Sequence, residues 1–204
     1  MLSVAALSHQ SICGMTTVIG LSGSLRAGSF NTALLRAAAG MMPEGVQLLV
    51  KTIHGIPLYD GDVEAASGIP ATVRELGDAI ANSDALLLAT PEYNNSIPGP
   101  FKNAIDWLSR IEEGKRPIFT CKPVAVIGAS PGGFGTLLSQ NAWLPVLRTL
   151  ETRPWFAGRL LVSRAGGVFN AEGQMTDEAT KKKLREFLAG FAGHVQSLRS
   201  IGPP

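Results

Sequence analysis

The chain has no Asp or Glu before Glu44, and its 204 residues include only two cysteines, Cys13 and Cys121. Two cysteines so far apart, in no metal or redox spacing, argue against a disulfide framework. The histidines, His9, His54 and His194, are equally scattered and suggest no metal site. No apolar run reaches the ~20 residues of a membrane-spanning helix. Charge is sparse at 17% of residues with a net value of +2, without the clustered Lys/Arg stripe of a nucleic-acid binder. The one dense basic run, Lys181-Lys182-Lys183, reads as a solvated helix face. The first fourteen residues lack the basic start of a signal peptide and fit no fold element. Residues 1–15 are therefore expected to be a tail, either disordered or the product of a mis-set start codon. Residues 16–200 are then one domain, with enough apolar sequence for a full core. The expectation is a soluble cytoplasmic protein.

What is present is an alternation of short apolar runs with helical patterns. "TVIGLS" (17–22) reads as a strand, and Phe30, Ala33, Leu34, Ala37, Ala38 and Met41 form a helical stripe closed by Gly40 and Pro43. "VQLLVKT" (46–52) is a second strand, and Pro70 opens a helix carrying Val73, Leu76 and Ile80. "DALLLAT" (84–90) is apolar throughout, as a strand buried on both faces must be. Phe101, Ala104, Ile105 and Leu108 mark the next helix, and "KPVAVIGAS" (122–130) the fourth strand. Residues 134–150 look helical with an expected kink or interruption at Pro145. "RPWFAGRLLVSR" (153–164) reads as a fifth strand, and a last helix starts at Thr176 and buries Leu184, Phe187, Leu188, Phe191, Val195 and Leu198. This order predicts a doubly wound parallel α/β sheet with the flavodoxin-like strand order 2-1-3-4-5 and helices on both faces.

In such a sheet ligands bind beyond the carboxyl ends of the strands, near the switch point. Three loops meet there. "SGSLRAGSFN" (22–31) offers Ser22, Ser24, Ser29, Asn31, Thr32 and Arg26 as donors, with glycines that let the backbone approach a ligand. Its helix starts without the acids that usually complement a positive dipole end, so a phosphate is the natural occupant. The plain alternative is a Ser cap on an ordinary helix. Gly23 and Gly28 have P-loop spacing, but Ser29-Phe30 replaces the required Lys-Ser/Thr, and no G-x-G-x-x-G follows the first strand. A phosphate monoester fits better than a pyrophosphate. "PEYNNSIPGPFKN" (91–103) is stiffened by Pro91 and Pro98 and can offer Asn94 and backbone N–H groups to the edge of a heterocycle, beside Tyr93. "ASPGGFG" (129–135) leaves Gly132 and Gly133 bare enough for a flat ring to lie near the backbone, unless they serve turn geometry alone.

With "GSLRAGSFN" (23–31), "GIPLYDGDVE" (55–64), "TPEYNNSIPGPFKNAIDWLSR" (90–110) and Ser130 through Gln140, residues 17–198 closely resemble the NADPH-dependent FMN reductase family, flavodoxin-like quinone, chromate and azo-dye reductases. The resemblance implies FMN, with NADPH or NADH as cosubstrate. It implies a phosphate site at Ser22, Ser24, Leu25, Arg26, Ser29, Phe30 and Asn31, and a ring site at Pro91, Glu92, Tyr93, Asn94, Asn95, Ser130, Gly132 and Gly133. It also implies a homodimer or homotetramer, with Asp106 and Trp107 as interface candidates, Trp107 being equally readable as core. Lys102 and Arg110 could attract nucleotide phosphates or be ordinary surface charges. One departure is Gly135-Thr136, where many relatives carry Gly-Gly.

The chemistry so implied needs no catalytic side chain. NAD(P)H gives hydride to FMN, and a quinone, dye, metal or nitro compound then takes the electrons at the same open face. Backbone donors of the second loop would stabilise charge developing on the pyrimidine side of the ring. The rival reading is a non-catalytic flavodoxin-type electron carrier, against which a net charge of +2 argues. A receiver-type signalling domain would need paired acids where Ser22-Gly23-Ser24 stands.

Overall fold

The structure, a computed structural model, describes residues 14–113 and 116–201. All but the last two residues of the expected tail lie outside them. The first strand, β1 (Thr16–Ser22), lies parallel to β2 (Val46–Thr52) on one side and to the central strand β3 (Ala85–Ala89) on the other. Each residue of β3 is buried, as its unbroken apolar sequence requires. Next to β3 lies β6 (Pro123–Ala129), in register from Leu86↔Val124 to Ala89↔Ile127. Between them in the chain, β4 (Glu112–Glu113) and β5 (Arg116–Pro117) form a separate small antiparallel pair.

The predicted order 2-1-3-4-5 holds, but the fifth strand is in two pieces. β7 (Arg153–Pro154) pairs with Pro123 and Val124, and β8 (Leu160–Val162) pairs with Ile127 to Ala129. Seven residues separate Arg153 from Leu160 on this strand while four separate their partners, Pro123 and Ile127, on β6. Trp155 still donates its N–H to the Val124 carbonyl, and the surplus loops out from Phe156 onward. The single strand expected over 153–164 is thus corrected to two short ones.

Helices cover both faces. On one face α1 (Phe30–Ala39) and α6 (Glu178–Ile201) bury Ala33, Leu34, Leu35, Leu184, Leu188 and Phe191 against the sheet. On the other, α3 (Ala71–Ala81), α4 (Gly99–Leu108) and α5 (Leu137–Thr149) bury Val73, Ile80, Phe101, Ile105, Trp107 and Trp143. A short helix, α2 (Gly61–Ser67), buries none of its residues and was not expected. α6 begins two residues later than predicted, because Asp177 stands outside it and accepts a hydrogen bond from the Thr180 N–H at 2.7 Å. α5 is not interrupted at Pro145. Pro145 and Asn141, four residues before it, are both exposed, so the carbonyl left without an intrahelical donor is on the solvent side.

Candidate functional site

β1 delivers the first loop to the carboxyl edge of the sheet. Ser22 is fully buried and its hydroxyl is 2.8 Å from that of Thr32. Gly23 donates its N–H to the Ala89 carbonyl, and a Cβ there would overlap the Phe101 ring, so only glycine fits between β3 and α4. Ser24 is buried, while Leu25, Arg26 and Gly28 face outward, and a Cβ on Gly28 would meet nothing. Ser29 caps α1 by accepting from the Thr32 N–H at 3.2 Å, and the first turn holds no acid. Arg26, Gly28, Ser29 and Phe30 line a cleft of about 440 Å³, and Phe30 stacks on Phe169 across it. Among the described residues Arg26 makes no ion pair. Asn31 behaves differently. Its side-chain amide both donates to the Ala129 carbonyl and accepts from the Ala129 N–H, each at 2.9 Å, so it staples α1 to the third loop.

The second loop is a tight hairpin. Tyr93 and Ser96 exchange both backbone hydrogen bonds, with Asn94 and Asn95 between them at φ 49° and 63°. Positive φ at both central residues is type I′ geometry, which explains an Asn pair at this point. The N–H groups of Asn94 and Asn95 stand outside the Tyr93–Ser96 pair, and Tyr93 is half exposed. Pro91 is buried. The Glu92 carboxylate turns away to accept from the N–H groups of Leu138 and Ser139 at 2.8 and 3.0 Å. It caps α5 from outside, because the residue in the capping position, Thr136, has φ 70° and makes no cap bond of its own.

In the third loop, Gly133 would carry a Cβ into open space and Gly132 one that meets only the Ser130 hydroxyl, at 4.0 Å. Gly135 at φ 58° and Thr136 at φ 70° are both left-handed. Glycine adopts that conformation freely, whereas a β-branched residue is strained in it by about 1–3 kcal/mol. The departure Gly135-Thr136 therefore keeps the backbone geometry and adds strain, offset in part by the buried Thr136 hydroxyl accepting from Gln140. Three cross-links draw the loops together: Gly23 to Ala89, Asn31 to Ala129, and Glu92 to the start of α5.

The sequence reading missed a fourth wall. The segment after β8 donates the Arg164 N–H to the Gly132 carbonyl and the Ala165 N–H to the Ser130 carbonyl. The signal was "SRAGG" (163–167), hidden because the expected fifth strand ran on through Ser163 and Arg164, past the observed end of β8 at Val162. The interface candidate Trp107 is fully buried and donates its Nε1–H to the Pro57 carbonyl at 3.0 Å, so it is core. Lys102 pairs with Asp106 at 2.6 Å, and Arg110 with Glu64 at 3.0 Å. The hydrogen bond from Arg110 holds the Glu64 carboxyl below its usual range and raises Arg110 in turn. The Tyr59 hydroxyl, donating to Glu64, is raised.

Residues 16–167 match the family described as NADPH-dependent FMN reductase. The chain belongs to that family. It is 42% identical over 182 residues to an NAD(P)H-dependent FMN reductase of Pseudomonas aeruginosa, covering 89% of this chain and 96% of the relative. To a quinone reductase of Escherichia coli it is 35% identical over 187 residues, with 89% and 96% covered. Among solved structures it resembles FerB, a flavoenzyme NAD(P)H:(acceptor) oxidoreductase from Paracoccus denitrificans, with a TM-score of 0.78 at 34% identity over 89% of this chain and 98% of that one. Membership carries the activity class, an FMN-dependent NAD(P)H oxidoreductase, and decides against the electron-carrier reading.

Proposed function

We propose that the chain passes reducing equivalents from NAD(P)H to quinones or similar planar acceptors, with FMN held across the three loops. The observation that carries this is the α1 N-terminus, which presents serine hydroxyls, bare glycine backbone and Arg26 but no carboxylate in its first turn. The residues fit the group: a Cβ on Gly28 or Gly133 meets open space, and one on Gly132 only the Ser130 hydroxyl, so a phosphate or a ring can lie there, whereas one on Gly23 or Gly128 would strike protein atoms. When bound, FMN supplies the two-electron exchange between nicotinamide and acceptor.

Ser24, Arg26, Ser29 and the N–H groups of Gly28 to Asn31 bind the phosphate, with Asn31 contributing through its backbone because its amide is engaged elsewhere. The N–H groups of Asn94 and Asn95, presented by the rigid turn, orient the pyrimidine edge of the ring, and charge developing there is met by donors that need no reorganisation. Tyr93 offers an aromatic wall, Ser130 a hydroxyl, and Gly132 and Gly133 a floor without side-chain bulk. Glu92 acts indirectly, by fixing the third loop.

A second copy of the chain completes the assembly as a homodimer or homotetramer in the cytoplasm. Exposed Leu58, Tyr59 and Val63 near α4, and Phe134, Leu138 and Phe156 near α5, supply two apolar surfaces for it. Purified protein should be yellow, release FMN on denaturation and oxidise NADPH or NADH with a quinone. A colourless protein that takes up no FMN overturns the reading, and a yellow one inert toward every quinone returns it to a carrier. Light scattering that finds only monomer would reject the assembly.

A further inference from the structure

His54 lies outside every loop assigned to the site, two residues past the end of β2, yet it touches the phosphate loop. Its Nε2 is 3.0 Å from the Leu25 carbonyl oxygen and its Nδ1 is 3.1 Å from the Thr52 hydroxyl. A carbonyl can only accept, so Nε2 carries the proton and Nδ1 takes the Thr52 hydroxyl as its partner. The imidazole thus spans 29 residues of chain to hold one peptide group of the loop.

That peptide matters because of its plane. In a trans peptide the C=O and the following N–H point in opposite directions. With the Leu25 oxygen drawn toward His54, the Arg26 N–H points the other way, to within 3.3 Å of the Ser24 hydroxyl. Ser24 is buried in the loop that cups the α1 N-terminus. Were this peptide to flip, a carbonyl dipole would replace an N–H on the side where an anion is to sit. Leu25 and Arg26 are both exposed, and besides the His54 contact only the long hydrogen bond from the Arg26 N–H to the Ser24 hydroxyl opposes that rotation.

We propose that His54 is a positioning residue for the phosphate: its Nε2–H fixes the 25–26 peptide so that the loop meets a phosphomonoester with N–H groups and not with a carbonyl. This rests on the FMN reading above. It is separable from that reading because it concerns the phosphate end of the ligand alone.

The test compares His54→Ala, His54→Gln and His54→Asn in the full chain, stripped of flavin and titrated with FMN and with riboflavin, which lacks the phosphate. Glutamine places an amide donor near the position of Nε2, and asparagine near that of Nδ1. FMN dissociation constants should rise roughly five- to tenfold in the Ala and Asn variants, the size of one net hydrogen bond. They should return to within about twofold of the parent in the Gln variant, and riboflavin should bind all four proteins alike. FMN affinity unchanged in His54→Ala, an equal loss for riboflavin, or no rescue by Gln would overturn the assignment. If the parent binds neither flavin, the FMN reading has failed, and amide exchange at Arg26 then decides the latch alone. Faster exchange in His54→Ala, restored by Gln, supports it, and unchanged exchange rejects it.

Discussion

The N-termini of α1 and α5 sit at the same edge of the sheet, each just beyond a buried parallel strand, and are provided for in opposite ways. At α5 the capping position is spoiled by a left-handed Thr136, and a carboxylate comes from another loop, with Glu92 taking the N–H groups of Leu138 and Ser139. At α1 the cap is sound, Ser29 in an extended conformation bonding Thr32, and among the described residues no carboxylate bonds its N–H groups, although Glu172 lines the cleft beside it. One helix start is closed by the protein's own anion and the other is left open. The difference teaches where a ligand's charge belongs: at the terminus that folding has capped but not neutralised.

The sharpest way to break this contrast is to give α1 its own carboxylate. Ser29→Asp should keep the cap and leave the stability of flavin-free protein within about 0.5 kcal/mol, because Asp caps as well as Ser. It should weaken FMN by about 3 kcal/mol or more, as a charge-assisted bond is replaced by repulsion. Thermal melts and flavin titration would show the two effects separately. Arg26→Ala with Ser29→Ala should cost binding of a similar size, about 3–6 kcal/mol for two charge-assisted bonds, seen as loss of flavin on dialysis. Glu92→Gln attacks the other helix. It should lower stability by about 1 kcal/mol, or roughly 2–4 °C in Tm for a chain of this size, with FMN loosened only as the third loop relaxes.

The smallest effect concerns α6, a third start, capped by Asp177. Hydrogen bonds from the Thr180 hydroxyl and then its N–H hold the Asp177 carboxyl below its usual range. Folding therefore gains from the ionised form. That gain is complete above the ordinary carboxylate pKa and is lost as pH falls through the lowered one. Asp177→Asn should flatten the acid limb of a stability profile slightly, its small loss of stability being fullest near neutrality and vanishing in acid.

These contrasts were partly legible beforehand. The strands β1, β3 and β6 and the acid-free start of α1 could be read directly, because burial on two faces and a missing charge both leave marks along the chain. The partners of the Glu92 carboxylate could not be read, since its place beside Tyr93 and Asn94 gives no sign that they lie 46 and 47 residues away. The clasp of Asn31 was hidden for a related reason: its amide suits a phosphate and a backbone clasp equally well. α2 left no pattern because it buries nothing. The break in the fifth strand was masked by Trp155 and Phe156, apolar residues that continue the strand-like run up to and into the segment that loops out.

That break bears on how the molecule meets others of its kind when partly unfolded. A sheet edge recruits foreign strands through a run of open backbone groups, usually five or six residues long. Beyond β6 the sheet offers a piece of two residues and a piece of three, offset by the bulge between them. No continuous template for cross-β growth exists on that side. The opposite margin, the seven residues of β2, is where aggregation on heating should begin, and where an added lysine or proline would delay it most.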